Sequence, residues 1–444
     1  MTGKRAALTS HLSRRRGDSV LLAVYVIGVI GWAGLRYHTF VGTAVPAGDT
    51  QIYRDVAAAS IWSGHFWAGG RPWGTPLLYK LISSDSGRIR AQFLIADICW
   101  LALAVAATRA MSARLVKVAV FAFVLGFSLL PIVTQWEPDL LSDSLSLSLT
   151  VLMLAAWLEL VRAPNWPRAI AVLVISLFWG STRDDHAYVL LFTAPLIAVT
   201  LWRVGHRWIK IALVAGTLLI AGLTFTSADV GVRWFDALRI TTYTRLVKDP
   251  TAMAYLSKRL PGGDWGTPKA RRVYLEFLIT HPAYTLTAPF SNRKTDSYVP
   301  GRPSYEAVLA PNTKWYDSKT RWFRPVLPRP IVDALYVPNA IATALIAILV
   351  AVTGMAFAIA GRAKPVWAVP TAGLILFYPH TLMVWHAAAA DLDRHSLVSA
   401  ITLRLSTLLL AAFIVDAALR RDDRPRSASR QAADQSPSER PGAS

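Results

Sequence analysis

The first long apolar run of the chain, residues 19–40, reads SVLLAVYVIGVIGWAGLRYHTF. Lys4, Arg5 and Arg14–Arg16 precede it, as basic residues precede the apolar core of a secretory signal peptide. This run is longer than a usual signal core, and about 20 apolar residues are what an α-helix needs to cross a bilayer. We therefore predict that residues 19–40 form an uncleaved first membrane span.

The composition is that of a membrane protein. Of the 444 residues, 54% are hydrophobic and 17% are charged, and the mean hydropathy is +0.38. The net charge of +20 does not indicate nucleic acid as a partner, because membrane proteins concentrate Arg and Lys in their cytoplasmic loops. The single cysteine, Cys99, excludes an internal disulfide and a cysteine-based metal site.

Further apolar runs predict an all-α polytopic membrane protein with about ten transmembrane helices. The fifth and sixth runs are short. The expected spans are 19–40, 91–109, 118–135, 140–161, 168–181, 187–202, 209–227, 338–360, 366–385 and 397–416.

The distribution of basic residues predicts the orientation of these spans. If the N-terminus lies inside, every short inner connection is basic, as the positive-inside rule requires. These inner residues include Arg109, Arg114, Lys117, Arg162, Arg168, Arg203, Arg207, Lys210, Arg362, Lys364, Arg420 and Arg421. We therefore expect a basic cytoplasmic N-terminus (1–18), a transmembrane domain (19–416) and a disordered cytoplasmic tail (417–444), which is rich in Ser, Arg and Pro.

Two of the outer connections are long. The first, 41–90, contains aromatic residues among polar ones, which is typical of short helices at the headgroup level. The second, 228–337, is a large outer loop with 17 basic and nine acidic residues between Asp229 and Asp333. Within it, the segment Tyr274–Ile279 predicts an amphipathic surface helix that Pro282 stops.

Asp49 follows the first span by a few residues. Aspartate is a favoured helix N-cap, so a structural role for Asp49 is a strong alternative. The residues alone favour the cap, and the functional alternative is a general base at the membrane surface that takes a proton from an incoming hydroxyl.

Three acidic residues, Glu137, Asp139 and Asp143, precede and begin the fourth span. Closely spaced carboxylates could bind a divalent cation or the acceptor, although acidic residues at a helix start are also favoured by the helix dipole. An ionisable group one turn into a span is costly in lipid, so Asp143 is expected to face a polar cavity.

Two further clusters lie in outer connections. Arg183, Asp184, Asp185 and His186 form one of them, and four consecutive ionisable residues between apolar spans favour a polar cavity. The other contains Asp391, Asp393, Arg394 and His395, just before the last span. Arg394 and His395 could hold a phosphate leaving group. The chain contains no P-loop, GxSxG or HExxH motif.

These residues, in this order, resemble the GT-C superfamily of membrane glycosyltransferases, such as bacterial aminoarabinose transferases and protein O-mannosyltransferases. Gly48-Asp49-Thr50-Gln51-Ile52-Tyr53 resembles the start of that family's first outer loop, where its catalytic Asp lies. Gly70-Arg71-Pro72-Trp73-Gly74-Thr75-Pro76 resembles the Pro-rich segment later in that loop, and Glu137-Pro138-Asp139 stands where an acidic pair often lies. The pair is Glu-Pro-Asp here, which leaves metal dependence open.

The resemblance implies an inverting glycosyltransferase in the cytoplasmic membrane with its active site on the outer side. The expected donor is a sugar linked to polyprenyl phosphate, and the acceptor is an envelope glycan, lipid or protein. Membrane lipids are further partners, and no cofactor is certain apart from a divalent cation that Glu137 and Asp139 could bind. Two alternatives are a lipid-carrier flippase or transporter, which requires charges deep within spans, and a non-catalytic membrane protein of envelope assembly.

Overall fold

The computed structural model describes residues 2–200, 207–263, 265, 267–291, 294–295, 302–311, 324–387 and 392–420. The helices of the first half are α1 (Thr2–Thr39), α2 (Thr50–Ala58), α3 (Gly64–Ala68), α4 (Gly74–Leu81), α5 (Asp85–Ala110), α6 (Arg114–Ser128), α7 (Pro131–Thr134), α8 (Asp143–Arg162), α9 (Trp166–Gly180), α10 (Asp185–Thr200) and α11 (Arg207–Val230). Those of the second half are α12 (Arg233–Thr244), α13 (Pro250–Arg259), α14 (Pro268–Thr280), α15 (Pro282–Thr287), α16 (Ser304–Leu309), α17 (Arg329–Tyr336), α18 (Ala340–Ile359), α19 (Ala368–Ala387), α20 (Leu392–His395) and α21 (Leu397–Leu419). Two strands, β1 (Lys294–Thr295) and β2 (Arg302–Pro303), pair antiparallel.

The chain is an all-α polytopic membrane protein, as its apolar runs predict. Seven helices among the described residues are long and apolar enough to cross a membrane: Ser19–Thr39 within α1, α5, α8, α11, α18, Pro365–Ala387 and Leu392–Leu419. The other three predicted spans overlap α6, α9 and α10, which have 15, 15 and 16 residues, and the predicted span 118–135 also includes the short helix α7. The predicted disordered tail falls mainly on residues 421–444, outside the described residues.

Burial separates central helices from peripheral ones. In the most apolar window of α8, 72% of residues are buried inside the protein, against 11% for the first span and 17% for α18. The largest core cluster is built mainly by α5, α6, α8 and α21, with Trp100, Leu103, Val151 and Leu405 fully or almost fully buried. The exposed apolar faces of α1 and α18 are suited to lipid, which can cover them without loss of hydrophobic stabilisation.

Two backbone contacts join connections at one end of the helix bundle, which we call the site end. Val45 N donates to Pro138 O at 2.9 Å, and Leu140 N donates to Val45 O at 3.0 Å. Gly74 N donates to Ser181 O at 2.8 Å, and a Cβ at Gly74 would lie 2.8 Å from that same oxygen, so only glycine permits this approach. The connection between α1 and α5 is thereby fixed against the segments that carry Asp139 and Arg183.

The large connection between α11 and α18 is mostly helical in its described residues, from α12 to α17. Helix α14 covers the predicted surface helix at 274–279 and ends at Thr280, just before Pro282. Arg404 of α21 anchors the last part of this connection, because its guanidinium donates to the carbonyls of Leu309 (2.8 Å) and Val337 (3.0 Å). A buried guanidinium is thus satisfied by backbone carbonyls at the ends of α16 and α17.

Candidate active site

Asp49 occupies the N-cap position of α2, but its side chain makes no capping hydrogen bond. Its carboxylate instead pairs with the guanidinium of Arg71, and its Oδ2 lies 3.7 Å from Nη2 of Arg394. The side chain is about one-quarter exposed. This geometry does not support the capping role and directs the carboxylate towards two arginines.

Asp143, the first residue of α8, is almost completely buried between two arginines. Arg183 Nη1 donates to its Oδ1 at 3.0 Å, and Arg394 Nε donates to its Oδ2 at 2.8 Å. Arg394 therefore contacts Asp143 with one nitrogen and faces Asp49 with another. The predicted polar surroundings of Asp143 are present, and both of its oxygens are satisfied by cations.

The segment between α9 and α10 contributes its four ionisable residues to the same region. Arg183 Nε also donates to Asp185 Oδ1 at 3.1 Å, and Arg183 contacts His395. Burial lowers the pKa of Arg183, but the adjacent Asp185 and Asp143 more than offset this, and its pKa is raised. His186 is fully buried beneath the segment.

Arg233 at the start of α12 binds the remaining carboxylate of that segment. Its Nε and Nη2 donate to the two oxygens of Asp184, each at 2.8 Å, and its Nη1 donates to Gly69 O at 2.8 Å. The bidentate pair with Asp184 holds the large connection against the segment between α9 and α10. The bond to Gly69 holds it against the connection that carries Asp49.

Glu137 is buried and pairs with Arg36 of the first span. The Glu137 Oε1 to Arg36 Nη2 distance is 2.6 Å, and the same guanidinium also binds Asp97. Burial raises the pKa of Glu137 to about 7, while Arg36 opposes this shift. Because Glu137 already has a cationic partner, this pairing argues against the predicted cation between Glu137 and Asp139, which stays a prediction.

Asp139 lies close enough to Asp143 and Arg394 to be affected by their charges, whereas Glu137 pairs with Arg36. Burial, together with the neighbouring charge of Asp143, raises the pKa of Asp139 to about 7, and Arg394 opposes the shift. Its Oδ1 has no hydrogen-bond partner among the described residues. Asp139 is therefore a buried carboxyl that holds a proton at a higher pH than an ordinary aspartate.

The short helix α20 presents Arg394 and His395 to this region. Its Asp393 accepts a hydrogen bond at 2.7 Å from Arg302, which belongs to the large connection. His395 lies against Arg183, and Asp391 lies outside the described residues. The predicted phosphate-binding residues are thus next to Asp49 and Asp143 in space.

A cavity of about 260 Å³ opens among these side chains. Its lining combines charged residues with Tyr188, Trp234 and Ile240. The charged lining consists of Asp49, Arg71, Arg183, Asp184, Asp185, Arg233 and Arg394. Guanidinium groups bind phosphate oxygens in pairs, and a carboxylate beside them can accept a proton, so the cavity is suited to group transfer from a phosphate ester.

Sequence reasoning did not identify two of these arginines as site residues. The only sequence signal for Arg71 was its place in the Pro-rich segment, between Gly70 and Pro72. Arg233 had no signal, because many basic residues occur in the large connection and only the fold brings this one to Asp184.

No protein-family model matches the chain, and no curated protein matches it by sequence. A solved structure is similar: the archaeal oligosaccharyltransferase AglB from Archaeoglobus fulgidus, in complex with an inhibitory peptide and a dolichol-phosphate. The identity is 12% and the TM-score is 0.44, and the match covers 96% of this chain and 53% of that chain. This chain therefore spans about half the length of that enzyme.

Proposed function

We propose that this chain is a membrane glycosyltransferase that moves a sugar from a polyprenyl-phosphate carrier to an acceptor hydroxyl. The observation that supports this most directly is the convergence of Asp49, Arg71 and Arg394 on one cavity at the site end of the bundle. A sugar linked through phosphate to a membrane lipid presents its reacting carbon near this depth. An envelope glycan, lipid or protein would supply the acceptor.

Asp49 is the proposed general base. An acceptor hydroxyl is a poor nucleophile until its proton is removed, and a positioned carboxylate contributes about 10²–10⁴-fold to the rate. In the transfer, the acceptor oxygen forms a bond to the anomeric carbon as the bond from that carbon to the phosphate oxygen breaks. The hydroxyl proton passes to Asp49, and attack from the face opposite the phosphate inverts the configuration.

Arg71 and Arg394 are the proposed ligands of the departing phosphate, with His395 beside them. Both arginines interact with the Asp49 carboxylate, so a donor phosphate competes with Asp49 for the same guanidinium groups. Binding of the donor therefore releases the carboxylate to the acceptor. Asp143 keeps Arg394 in place throughout, because its contact with Arg394 Nε is buried.

The proposed location is the cytoplasmic membrane, with the cavity on the outer side. This follows from the basic connections at the opposite end of the bundle, which the positive-inside rule assigns to the cytoplasm. The proposal differs from a flippase, which would move the lipid carrier without breaking its bond to the sugar.

The test is sugar transfer from a polyprenyl-phosphate donor by purified wild type and Asp49→Asn. Asparagine keeps the shape of aspartate and caps helices about equally well, but it cannot accept the proton. We expect transfer by Asp49→Asn to fall on the order of a hundredfold or more, with donor binding retained.

Asp55 provides a matched control, because it lies on the same short helix, is exposed, and contacts Gln51 rather than the cavity. Asp55→Asn should transfer sugar at the wild-type rate. Near-normal transfer by Asp49→Asn would exclude Asp49 as the general base. A wild type that transfers no sugar would favour the non-catalytic alternatives.

A further inference from the structure

Beneath the cavity, three side chains with metal-binding atoms meet between two helices. Asp185 and His186 begin α10, and His380 lies in α19 directly after Pro379. One ligand atom from each of the three lies within 4.8 Å of the others. Pro379 cannot make the helical hydrogen bond of an ordinary residue, so it perturbs α19 at the position where His380 faces α10.

The hydrogen bonds of His186 determine which of its ring nitrogens can bind a metal. Nδ1 lies 2.8 Å from the carbonyl oxygen of Trp179, and the ring stacks on the Trp179 indole at a centroid distance of 3.9 Å. A carbonyl only accepts hydrogen bonds, so Nδ1 carries the proton. The lone pair of Nε2 accepts from the Ser146 hydroxyl at 3.1 Å, a contact that a metal ion would replace. Metal-binding histidines usually show this arrangement, with the other ring nitrogen donating to a carbonyl or carboxylate.

Asp185 uses its two oxygens for different partners. Oδ1 accepts from Arg183 Nε at 3.1 Å, whereas Oδ2 turns inwards to His380 Nε2 at 3.4 Å. That second distance is longer than a normal charge-assisted hydrogen bond. A carboxylate held by a hydrogen bond on one oxygen, with its other oxygen directed at a histidine, has the form of a metal ligand.

We propose that Asp185, His186 and His380 bind one zinc ion. Two imidazole nitrogens and one carboxylate oxygen form a donor set that zinc prefers, and three protein ligands leave a fourth position open. The two histidines are buried, while Asp185 also lines the cavity, so the proposed site adjoins the cavity through Asp185. Ser146 Oγ of α8, 3.1 Å from His186 Nε2, lies beside these ligands.

The ion would join α10 to α19 at the floor of the cavity. Its positive charge would lie on the same side as the arginines and so would favour an anionic group in the cavity. This site differs from the cation predicted at Glu137 and Asp139, and it does not require the proposed sugar transfer.

The test measures metal binding by the purified full-length protein, stripped with a chelator and then reloaded with Zn²⁺ or Co²⁺. Wild type should bind about one equivalent of zinc and, with Co²⁺, show the intense visible absorption of a tetrahedral site. His380→Gln should weaken zinc binding by more than about 100-fold, because even the loss of a supporting residue around a metal costs 10–100-fold.

His386→Gln is the matched control. His386 lies on the same helix and is also buried, but it contacts Tyr274 and Thr285 rather than the cluster. This variant should bind zinc like wild type. Wild type that binds neither Zn²⁺ nor Co²⁺, or a folded His380→Gln that binds zinc as tightly as wild type, overturns the proposal. Asp185→Asn serves as the second ligand variant if His380→Gln does not fold.

Discussion

Arg394 lies between two carboxylates that come from distant parts of the sequence. Its Nε contacts Asp143 at 2.8 Å, and its Nη2 lies 3.7 Å from Asp49. About one-tenth of the side chain is exposed, and this part faces the cavity. Only the planar fork of arginine can contact two anions from separate directions while it offers further N–H groups to a phosphate.

Substitution of Arg394 tests the proposed phosphate contact. Arg394→Ala removes a charged hydrogen-bond donor and should lower kcat/KM for the polyprenyl-phosphate donor on the order of a hundredfold. Arg394→Lys keeps the charge without the fork and should retain more activity than Arg394→Ala. The measurement is donor-dependent transfer at equal amounts of folded protein. Wild-type activity in Arg394→Ala would exclude the role.

At the scale of elements, Arg36 ties the first span to the rest of the bundle. Most of that helix is exposed to lipid, yet Arg36 near its end is fully buried. Its guanidinium binds Asp97 of α5 and Glu137, each at 2.6 Å. A charged residue in a span is costly in lipid and is expected to find a partner inside the protein, as it does here. These partners support a structural role for the ion triad.

Arg36→Met should destabilise the protein strongly, because it leaves two carboxylates without their cation. Breaking a buried pair in this way costs about 3–5 kcal/mol. Arg54 and Asp85 form a pair of the same 2.6 Å length, but each side chain is about one-third exposed, so Arg54→Met should cost less than about 1 kcal/mol. Thermal unfolding in detergent compares the two variants. Equal decreases in Tm would contradict the structural role of the triad.

At the scale of the whole molecule, the two ends of the bundle differ in their charges. The site end carries the cavity with its interleaved acidic and basic residues. At the opposite end, Arg109, Arg162 and Arg168 surround Glu159, and Arg420 pairs with Asp416. The excess of basic residues in the short connections of that end predicts that it faces the cytoplasm.

Cysteine labelling tests this orientation. In a Cys99→Ser background, Ser83→Cys at the site end should react with an impermeant thiol reagent added outside intact cells, and Ala363→Cys at the opposite end should not. Both positions are exposed, so a difference in labelling reflects sidedness rather than burial. After the membrane is permeabilised, both cysteines should react. The reverse pattern in intact cells would place the cavity on the cytoplasmic side.

The sequence by itself determined the helical elements and the end of the bundle at which the candidate residues lie. A membrane span is a local property, because about 20 consecutive apolar residues are sufficient to define it. Connections between successive spans alternate between the two ends, so Asp49, Asp139, Arg183 and Arg394 could be assigned to one end without any knowledge of packing. The three shortest predicted spans fall on helices α6, α9 and α10, of 15 or 16 residues, and their crossing of the membrane stays a prediction.

Only the tertiary structure decided which of these residues are partners. Asp49 pairs with Arg71, 22 positions away, Glu137 with Arg36, 101 positions away, and Asp185 with His380, 195 positions away. The sequence contains many arginines of equal chemical suitability, and its local pattern carries no information about which helices are neighbours. Helix packing and contacts such as that between Gly74 and Ser181 bring particular side chains within hydrogen-bond distance. The burial of each pair then determines whether a carboxylate supports the fold, as Glu137 does, or faces the cavity, as Asp49 does.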